Sequence, residues 1–239
     1  MSIITKLCGM LIYGHRWSTP SYIKFLKKQG VKIGENFNIF NPQHTLIDVQ
    51  NPHLLTIGDD VNITGPVTIL THDYSWCVLK RIHGEILGKQ KKVIIGNNIF
   101  IGWGATILPG TVIGDNVIIG ANSVVSGHLE GNHVYAGNPA KKIISIDEFY
   151  NKRKKNQLKE AVEFVHCFKE RYGHWPEESD LREYFYLFSD GDNLNSDFIF
   201  QMQLQRNYNE SLEKLKFSNE KPFRSYKEFL EHCKKSMLI

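Results

Sequence analysis

The chain has 239 residues, with 29 lysines and arginines against 25 aspartates and glutamates and a net charge of +4. This length suffices for one large domain or two smaller ones, and the surplus is too small to argue for nucleic-acid binding. The surplus sits in the first 146 residues, 13 basic against 8 acidic, where a weak positive field suits a small anionic ligand; the remainder is near-neutral at 16 against 17.

The opening stretch, MSIITKLCGMLIYG, carries one lysine and is too short for a signal peptide or a membrane span. Ser18-Thr19-Pro20 then caps and starts a helix whose apolar positions are Tyr22, Ile23, Phe25 and Leu26, and Gly30 stops it. Residues 1–30 are expected to form a helical cap on the end of the domain that begins at residue 31. The four cysteines, at 8, 77, 167 and 233, form no CxxC pair and stand near no metal-spaced histidine. They read as reduced thiols of a cytoplasmic protein.

From Ile95 the sequence repeats in sixes: IGNNIF, IGWGAT, ILPGTV, IGDNVI, IGANSV, with Val125 opening the next. A second copy, IGDDVN, ITGPVT, ILTHDY, covers Ile57 to Tyr74. A β-branched residue at every sixth position predicts a parallel solenoid with three short strands per coil, over residues 31–146. Ile33-Gly34-Glu35-Asn36 matches Ile57-Gly58-Asp59-Asp60 twenty-four residues later, so a corner expanded by six residues is expected between Asn41 and Pro52. Asn97, Asn98, Asp115, Asn116 and Asn122 suit tight corners. Residues 74–93 lose the period and are expected to be a loop thrown out from one corner.

The period ends after Gly137-Asn138-Pro139-Ala140. From Asp147 the pattern predicts a helix ending at Tyr172-Gly173-His174-Trp175-Pro176, then helices at Glu178–Phe188, near Asp197–Tyr208 and near Ser225–Lys235. This aromatic-rich region, 147–239, is expected to pack on the solenoid or on a neighbouring subunit.

The break in the period falls directly after His72. An imidazole can exchange a proton near neutral pH and reach an acceptor group, so His72 is the first candidate base. Asp48 and Asp73 are candidates to orient it: Asp48 lies twenty-four residues earlier, one coil plus the expansion, and Asp73 adjoins it in sequence. His44 and His53 fall in the irregular corner and can line a pocket there. His44, Asp48 and His53 have no recognised ligand spacing, so no metal is expected.

The hexapeptide run, the block HDYSW and the closing VYAGNPAKKI resemble the hexapeptide-repeat acyltransferases, and within them the sugar O-acetyltransferases of bacterial capsule and lipopolysaccharide pathways. The resemblance covers roughly Tyr22 to Ile144. It implies a left-handed parallel β-helix, an exception to the usual handedness of crossovers, assembled as a homotrimer with its sites between subunits. It implies acetyl-CoA as donor, a sugar hydroxyl as acceptor, and direct attack on the thioester with His72 as base. It places Gly102, Trp103 and Ala105, then Gly120 and Ala121, along the pantetheine arm, where a backbone amide can polarise the thioester carbonyl. Phe100 stands where many relatives have tryptophan, and Trp103 where they have a smaller residue. Gly137 and Pro139 border the nucleotide, with Lys141 and Lys142 near its phosphates. Asn38, Tyr74, Trp76 and Glu85 are the acceptor-side candidates, the aromatics suiting a sugar ring. Two other readings stand beside this one: an N-acetyltransferase acting on an amino sugar, and a non-catalytic solenoid scaffold. No transmembrane segment or nucleic-acid partner is expected. The expected location is the cytoplasm, with peripheral attachment to the inner membrane face as an option.

Overall fold

Every sixth residue of the repeat turns inward, and the isoleucines at 57, 63, 69, 95, 101, 107, 113 and 119 are almost wholly buried. In the computed structural model, which describes residues 3–192, 194–217 and 221–237, the chain divides into two compact units, Met1–Phe149 and Tyr150–Ile239.

The first unit begins with α1 (Ile3–Tyr13), a helix the sequence pattern did not predict, and α2 (Thr19–Gln29). The Ser18 hydroxyl accepts from the Ser21 amide, and Gly30 ends α2 at φ 107°. Tyr22 and Leu26 of α2 are buried in the same core as Ile33, Ile39 and Ile47. The Tyr22 hydroxyl accepts from the Ile47 amide and donates to the Thr45 carbonyl, tying α2 to the first coil.

The first coil comprises β1 (Lys32–Ile33), β2 (Asn38–Ile39) and β3 (Leu46–Ile47), and the second β4 (Leu55–Ile57), β5 (Val61–Ile63) and β6 (Thr68–Ile69). Next come β7 (His72–Asp73), α3 (Trp76–His83) and β8 (Lys89–Gln90). Regular coils resume with β9 (Val93–Ile95), β10 (Ile99–Ile101) and β11 (Thr106–Ile107), then β12 (Val112–Ile113), β13 (Val117–Ile119) and β14 (Val124–Val125). The series ends with β15 (His128–Leu129), β16 (His133–Ala136) and β17 (Lys141–Ser145), which pairs antiparallel to β16. The chain visits three sheets in rotation. The first is β1-β4-β9-β12-β15, the second β2-β5-β10-β13-β16-β17, the third β3-β6-β11-β14.

The register is the repeat made visible. Ile95 pairs with Ile113, Ile101 with Ile119 and Ile107 with Val125, eighteen residues apart each time. The first coil is longer: the offset is twenty-four residues at β1–β4 and β2–β5 and twenty-two at β3–β6. The six surplus residues are thus divided, two before β3 and four after it, where Pro52–Leu54 makes a 3₁₀ turn. Between the first and second sheets Asn36, Asp60, Asn98, Asn116 and Asn132 all hold φ between 52° and 61°. Asparagine and aspartate tolerate this left-handed conformation better than other side-chain-bearing residues. Here they also form a ladder, with Asn98 Nδ2 donating to Asn116 Oδ1 and Asn116 Nδ2 to Asn132 Oδ1, both at 2.8 Å.

The stretch 74–93 is more ordered than the expected loop. Val93 pairs with Leu55 thirty-eight residues earlier, so twenty residues leave the regular path and return. They leave through β7 and return through β8, which pair antiparallel, and they carry α3 between them. None of the α3 side chains is buried; Val78, Ile82 and the following Ile86 and Leu87 are exposed.

The second unit corrects two expectations. It does not need an outside surface for its aromatic residues, because it buries a core of its own: Phe185, Phe188, Phe198 and Phe229 with Ala161, Val165, Met202 and Leu215. Phe185 stacks on Phe198 at 4.4 Å between ring centroids. The helix expected over Glu178–Phe188 is instead two 3₁₀ turns, Glu178–Leu181 and Phe185–Leu187. The other elements are α4 (Ile146–Tyr172), α5 (Ser196–Gln203), α6 (Tyr208–Phe217) and α7 (Tyr226–Ser236). The sequence pattern did not predict α6, which begins where the helix expected near Asp197–Tyr208 ends.

Candidate active site

The third sheet has two edges, and the candidate residues divide between them. At its trailing edge, where the chain turns back toward the first sheet, Asp48 follows β3 and His72 follows β6. The Asp48 amide donates to the Ile69 carbonyl, so the stacked backbones set these side chains beside each other. His72 Nδ1 lies 2.6 Å from Asp48 Oδ2. The histidine side chain is 15% exposed and the aspartate side chain 6%.

Asp48 is well supplied with donors. Its Oδ2 accepts from the Thr71 amide at 2.9 Å and from the Thr71 hydroxyl, and its Oδ1 accepts from the Gln50 amide at 2.9 Å. Burial pushes the carboxyl up, but the Thr71 hydroxyl, the Gln50 and Thr71 amides and the His72 ring outweigh it and hold the group below its ordinary value. An ionised carboxylate only accepts hydrogen bonds. Nδ1 of His72 must therefore carry the proton in this contact, which leaves Nε2 with a free lone pair.

Around this pair stand two aromatic rings. Tyr74 meets His72 edge-on at 5.0 Å between centroids and Trp76 at 6.0 Å. The Tyr74 hydroxyl donates to Gln50 Oε1 at 2.9 Å. Thr71 and Gln50 are not among the residues singled out from sequence. Gln50 was within reach: it precedes Tyr74 by the same twenty-four residues that separate Asp48 from His72.

Asp73 faces away. It pairs with Lys89 at 2.8 Å and accepts from the Ser75 hydroxyl and amide, contacts that clasp the neck of the excursion. The bond from Lys89, then those from Ser75, hold its carboxyl down at about 2. The clasp therefore favours the closed neck above the usual carboxylate range and is lost only as pH falls toward 2. Glu85 lies exposed just after α3, with no described contact to His72. Asn38 belongs to the second sheet, where its side chain donates to Asn36. His44 bonds Asn41 at 2.8 Å, and His53 is exposed in the 3₁₀ turn after Asp48. Among the described residues no three His, Cys, Asp or Glu side chains converge as metal ligands.

The small-residue corner lies at the leading edge of the third sheet. Gly102 follows β10, Gly120 follows β13 and Ala136 ends β16, stacked by the register of the second sheet. A Cβ on Gly102 would sit 2.7 Å from the Ala121 amide nitrogen and 2.8 Å from the Ile119 carbonyl oxygen. The glycine is required by the close approach of two coils, so a bulky residue there disturbs the coil itself as well as any ligand channel. The amides of Gly102, Gly104 and Ala105 already donate to the carbonyls of Ile119, Pro66 and Gly102. They are engaged in the coil, which argues against their polarising a carbonyl. Ala105 is buried, whereas Trp103, 54% exposed, and Ala121 face outward.

Gly137, at φ 103°, donates its amide to the Ser123 hydroxyl, and Pro139 follows in the turn. Lys141 and Lys142 open β17. Lys142 is paired with Glu130 at 2.5 Å, and Lys141 is exposed. A cavity of about 550 Å³ occupies the second unit, lined by Tyr150, Tyr184 and Lys214 among others. It contains no histidine, and its Arg153 is bound by Glu160. The paired histidine and carboxylate of His72 and Asp48 have no counterpart in that lining.

Residues 92–127 match the model of the bacterial transferase hexapeptide family, described as six repeats. Protein CapG of Staphylococcus aureus is 35% identical over 153 residues, which cover 61% of this chain and 88% of that protein. The galactoside O-acetyltransferase of Lactococcus lactis subsp. lactis is 35% identical over 165 residues, 59% of this chain and 77% of the enzyme. The chain belongs to the hexapeptide-repeat acetyltransferases. A solved galactoside acetyltransferase in complex with coenzyme A aligns with this acetyltransferase at 26% identity and a TM-score of 0.43, covering 61% of this chain and 82% of that one. The match of this hexapeptide-repeat acetyltransferase to CapG, 153 residues long, extends well beyond the 36 residues of the repeat model.

Proposed function

We propose that the enzyme transfers the acetyl group of acetyl-CoA to a sugar hydroxyl of a surface polysaccharide or its precursor, with His72 as general base. The observation that carries this reading is the His72–Asp48 contact, which leaves Nε2 able to accept a proton. Nε2 takes the proton of the acceptor hydroxyl as its oxygen bonds to the thioester carbonyl carbon. The tetrahedral intermediate collapses, the carbon–sulfur bond breaks, and the imidazolium returns the proton to the CoA sulfur. Asp48 holds the ring in the tautomer this requires and stabilises the imidazolium. Tyr74 and Trp76 offer faces to a sugar ring, and Gln50 fixes Tyr74. Family membership supports a left-handed winding of the coils. Four free thiols support action in a reducing compartment.

Purified protein is incubated with acetyl-CoA and a panel of defined glycans and amino sugars, and the products are read by mass spectrometry. The expected result is an ester-linked acetyl group, released by mild base, on at least one glycan. Amide-linked acetyl on amino sugars alone would replace this reading with N-acetylation.

The enzyme is further inferred to act as a trimer. His72 and the small-residue corner occupy opposite edges of one sheet, so a neighbouring copy must bring its corner, with Gly102, Gly120, Ala121 and Gly137, to the histidine. The exposed apolar residues of the excursion give such a neighbour something to cover. Two inactive variants, His72→Ala and Ala121→Trp, are refolded together. If sites lie between subunits, about a quarter of the interfaces in randomly mixed trimers combine two intact halves, and activity returns to about that fraction. No recovery from mixed trimers would place the whole site in one chain.

A further inference from the structure

The proposal concerns α1 and the basic segment after it, and it stands whether or not the acetyl-transfer reading holds. The α1 sequence, IITKLCGMLIY, contains one charged residue. The helix rests on the 3₁₀ turn Gly14–Trp17, where Gly9 faces the Trp17 side chain. Beyond that contact Met10, Leu11, Ile12 and Tyr13 are 49%, 85%, 72% and 45% exposed. Successive helical residues step by about 100°, so four in a row surround most of the helix. This end of α1 has no polar face to turn toward water, and a run of exposed apolar residues marks a surface made to be covered.

Charge indicates what covers it. The first thirty-four residues hold Lys6, Arg16, Lys24, Lys27, Lys28 and Lys32 and no aspartate or glutamate; the first acid is Glu35. Lys24, Lys27, Lys28 and Lys32 are exposed, the first three on α2. A second copy docked face to face would bring these exposed lysines toward their own counterparts. A bilayer carrying anionic lipid complements both features, with apolar side chains entering the acyl boundary and lysines meeting head-group phosphates. Eleven residues make a helix about 16 Å long, roughly half a hydrocarbon core, so α1 lies in the interface and does not span it. Among the described residues no helix is long and apolar enough to cross a membrane.

We propose that α1 is an interfacial anchor that, with the lysines of α2, docks this protein on the surface of an anionic phospholipid bilayer. The test is co-sedimentation of the full-length protein with vesicles of phosphatidylcholine alone or mixed with phosphatidylglycerol. Binding to the mixed vesicles is expected to exceed binding to the neutral ones by at least about tenfold, and to be stripped by about 0.5 M salt. Leu11→Glu with Ile12→Glu lowers partitioning about tenfold or more. Lys24→Ala, Lys27→Ala and Lys28→Ala together lower it about a hundredfold. Neither set alters acetylation of a soluble acceptor, so loss of anchoring and loss of the catalytic reading are separable. Equal binding to both vesicle types, or to neither, overturns the proposal. So does a Leu11/Ile12 variant that keeps vesicle binding but changes the oligomeric mass, which would make the face a contact between copies.

Discussion

His72→Ala lowers kcat for acetyl transfer by about 10²- to 10⁴-fold, while the KM for acetyl-CoA and the thermal midpoint stay close to wild type. The loss is expected because Nε2 is the only acceptor the His72–Asp48 pair presents outward. Nδ1 is committed to Asp48, and Asp48 is ringed by donors. Bound acetyl-CoA and sugar keep their positions without the imidazole, so proximity still accelerates the reaction and the residual rate exceeds that in water. The fold should tolerate the change for two reasons. The side chain is 15% exposed, so its removal leaves a notch open to water and not a sealed cavity. Asp48 also retains the Thr71 amide and hydroxyl and the Gln50 amide, so its charge stays satisfied. CoA release under saturating acceptor gives kcat, and thermal unfolding checks the fold. A kcat near wild type would remove His72 from the base role. A midpoint that collapses along with the rate would make it a structural residue instead.

The fold was legible wherever one residue type met one geometric demand. Isoleucine at every sixth position fills an inward site that recurs once per strand, and the observed eighteen-residue register follows from it. Of the corner residues, Asn98, Asn116 and Asn122 were legible for the same reason, since φ near 56° selects them, whereas Asn97 and Asp115 serve the corner by accepting backbone amides through their side chains. The ordered excursion was not. Val78, Leu79 and Ile82 of α3 are exposed, so no buried stripe announced a helix between Trp76 and His83. The α1 helix is hidden for a related reason: its apolar stretch is too short for a signal or a span, and its exposed end, Met10 to Tyr13, buries no stripe that a period could reveal. In the second unit, Phe185 and Phe188 have the spacing of a helical stripe, but Phe185 opens a 3₁₀ turn and Phe188 is the residue that follows it, and both rings enter a local aromatic core. Periodicity reports which residues are buried, and there it could not report by what backbone.

The candidate site was legible to the extent that register carried it. The interval of twenty-four residues that matched Ile33 to Ile57 pointed from Asp48 to His72, and the structure brings these two within 2.6 Å, although β3 and β6 beside them run at an offset of twenty-two. Asp73 was the other candidate, adjacent to the histidine in sequence but with its side chain expected to point elsewhere. Side-chain direction decides it: adjacent residues on an extended strand face opposite ways, and Asp73 turns to Lys89. The lysines at 141 and 142 are a different case. A basic pair after a turn suits phosphate, but Lys142 has Glu130 at hydrogen-bond distance, a partner far enough away in sequence to be invisible there.

Asp48→Asn is the substitution with the second-largest expected effect, and its consequences separate positioning from folding. Oδ2 of Asp48 accepts from the Thr71 amide, the Thr71 hydroxyl and His72, while Oδ1 accepts from the Gln50 amide. An asparagine has one oxygen and one NH₂ to offer. If the NH₂ takes the Oδ2 place it meets the Thr71 N–H; if it takes the Oδ1 place it meets the Gln50 N–H. Either way a donor faces a donor in a buried site, at a cost of about 1–3 kcal/mol of stability. In the first orientation the NH₂ also donates to Nδ1, which moves the ring proton to Nε2 and removes the base. The expected kcat loss is about a hundredfold. The stability difference has a definite pH dependence. Because the folded carboxyl lies below its ordinary value, its stabilisation is present above the unfolded value, about 3.9, and disappears as pH falls through the folded one. The gap between wild-type and Asp48→Asn midpoints should therefore be full near neutrality and shrink below about pH 4. The decisive measurement is the double variant. If Asp48 acts through His72, then Asp48→Asn costs almost nothing further in kcat once His72 is alanine, although it still lowers the midpoint. If the two kcat losses instead multiply, Asp48 contributes to the rate by a route that does not pass through the imidazole, and its role as the positioning partner of His72 falls.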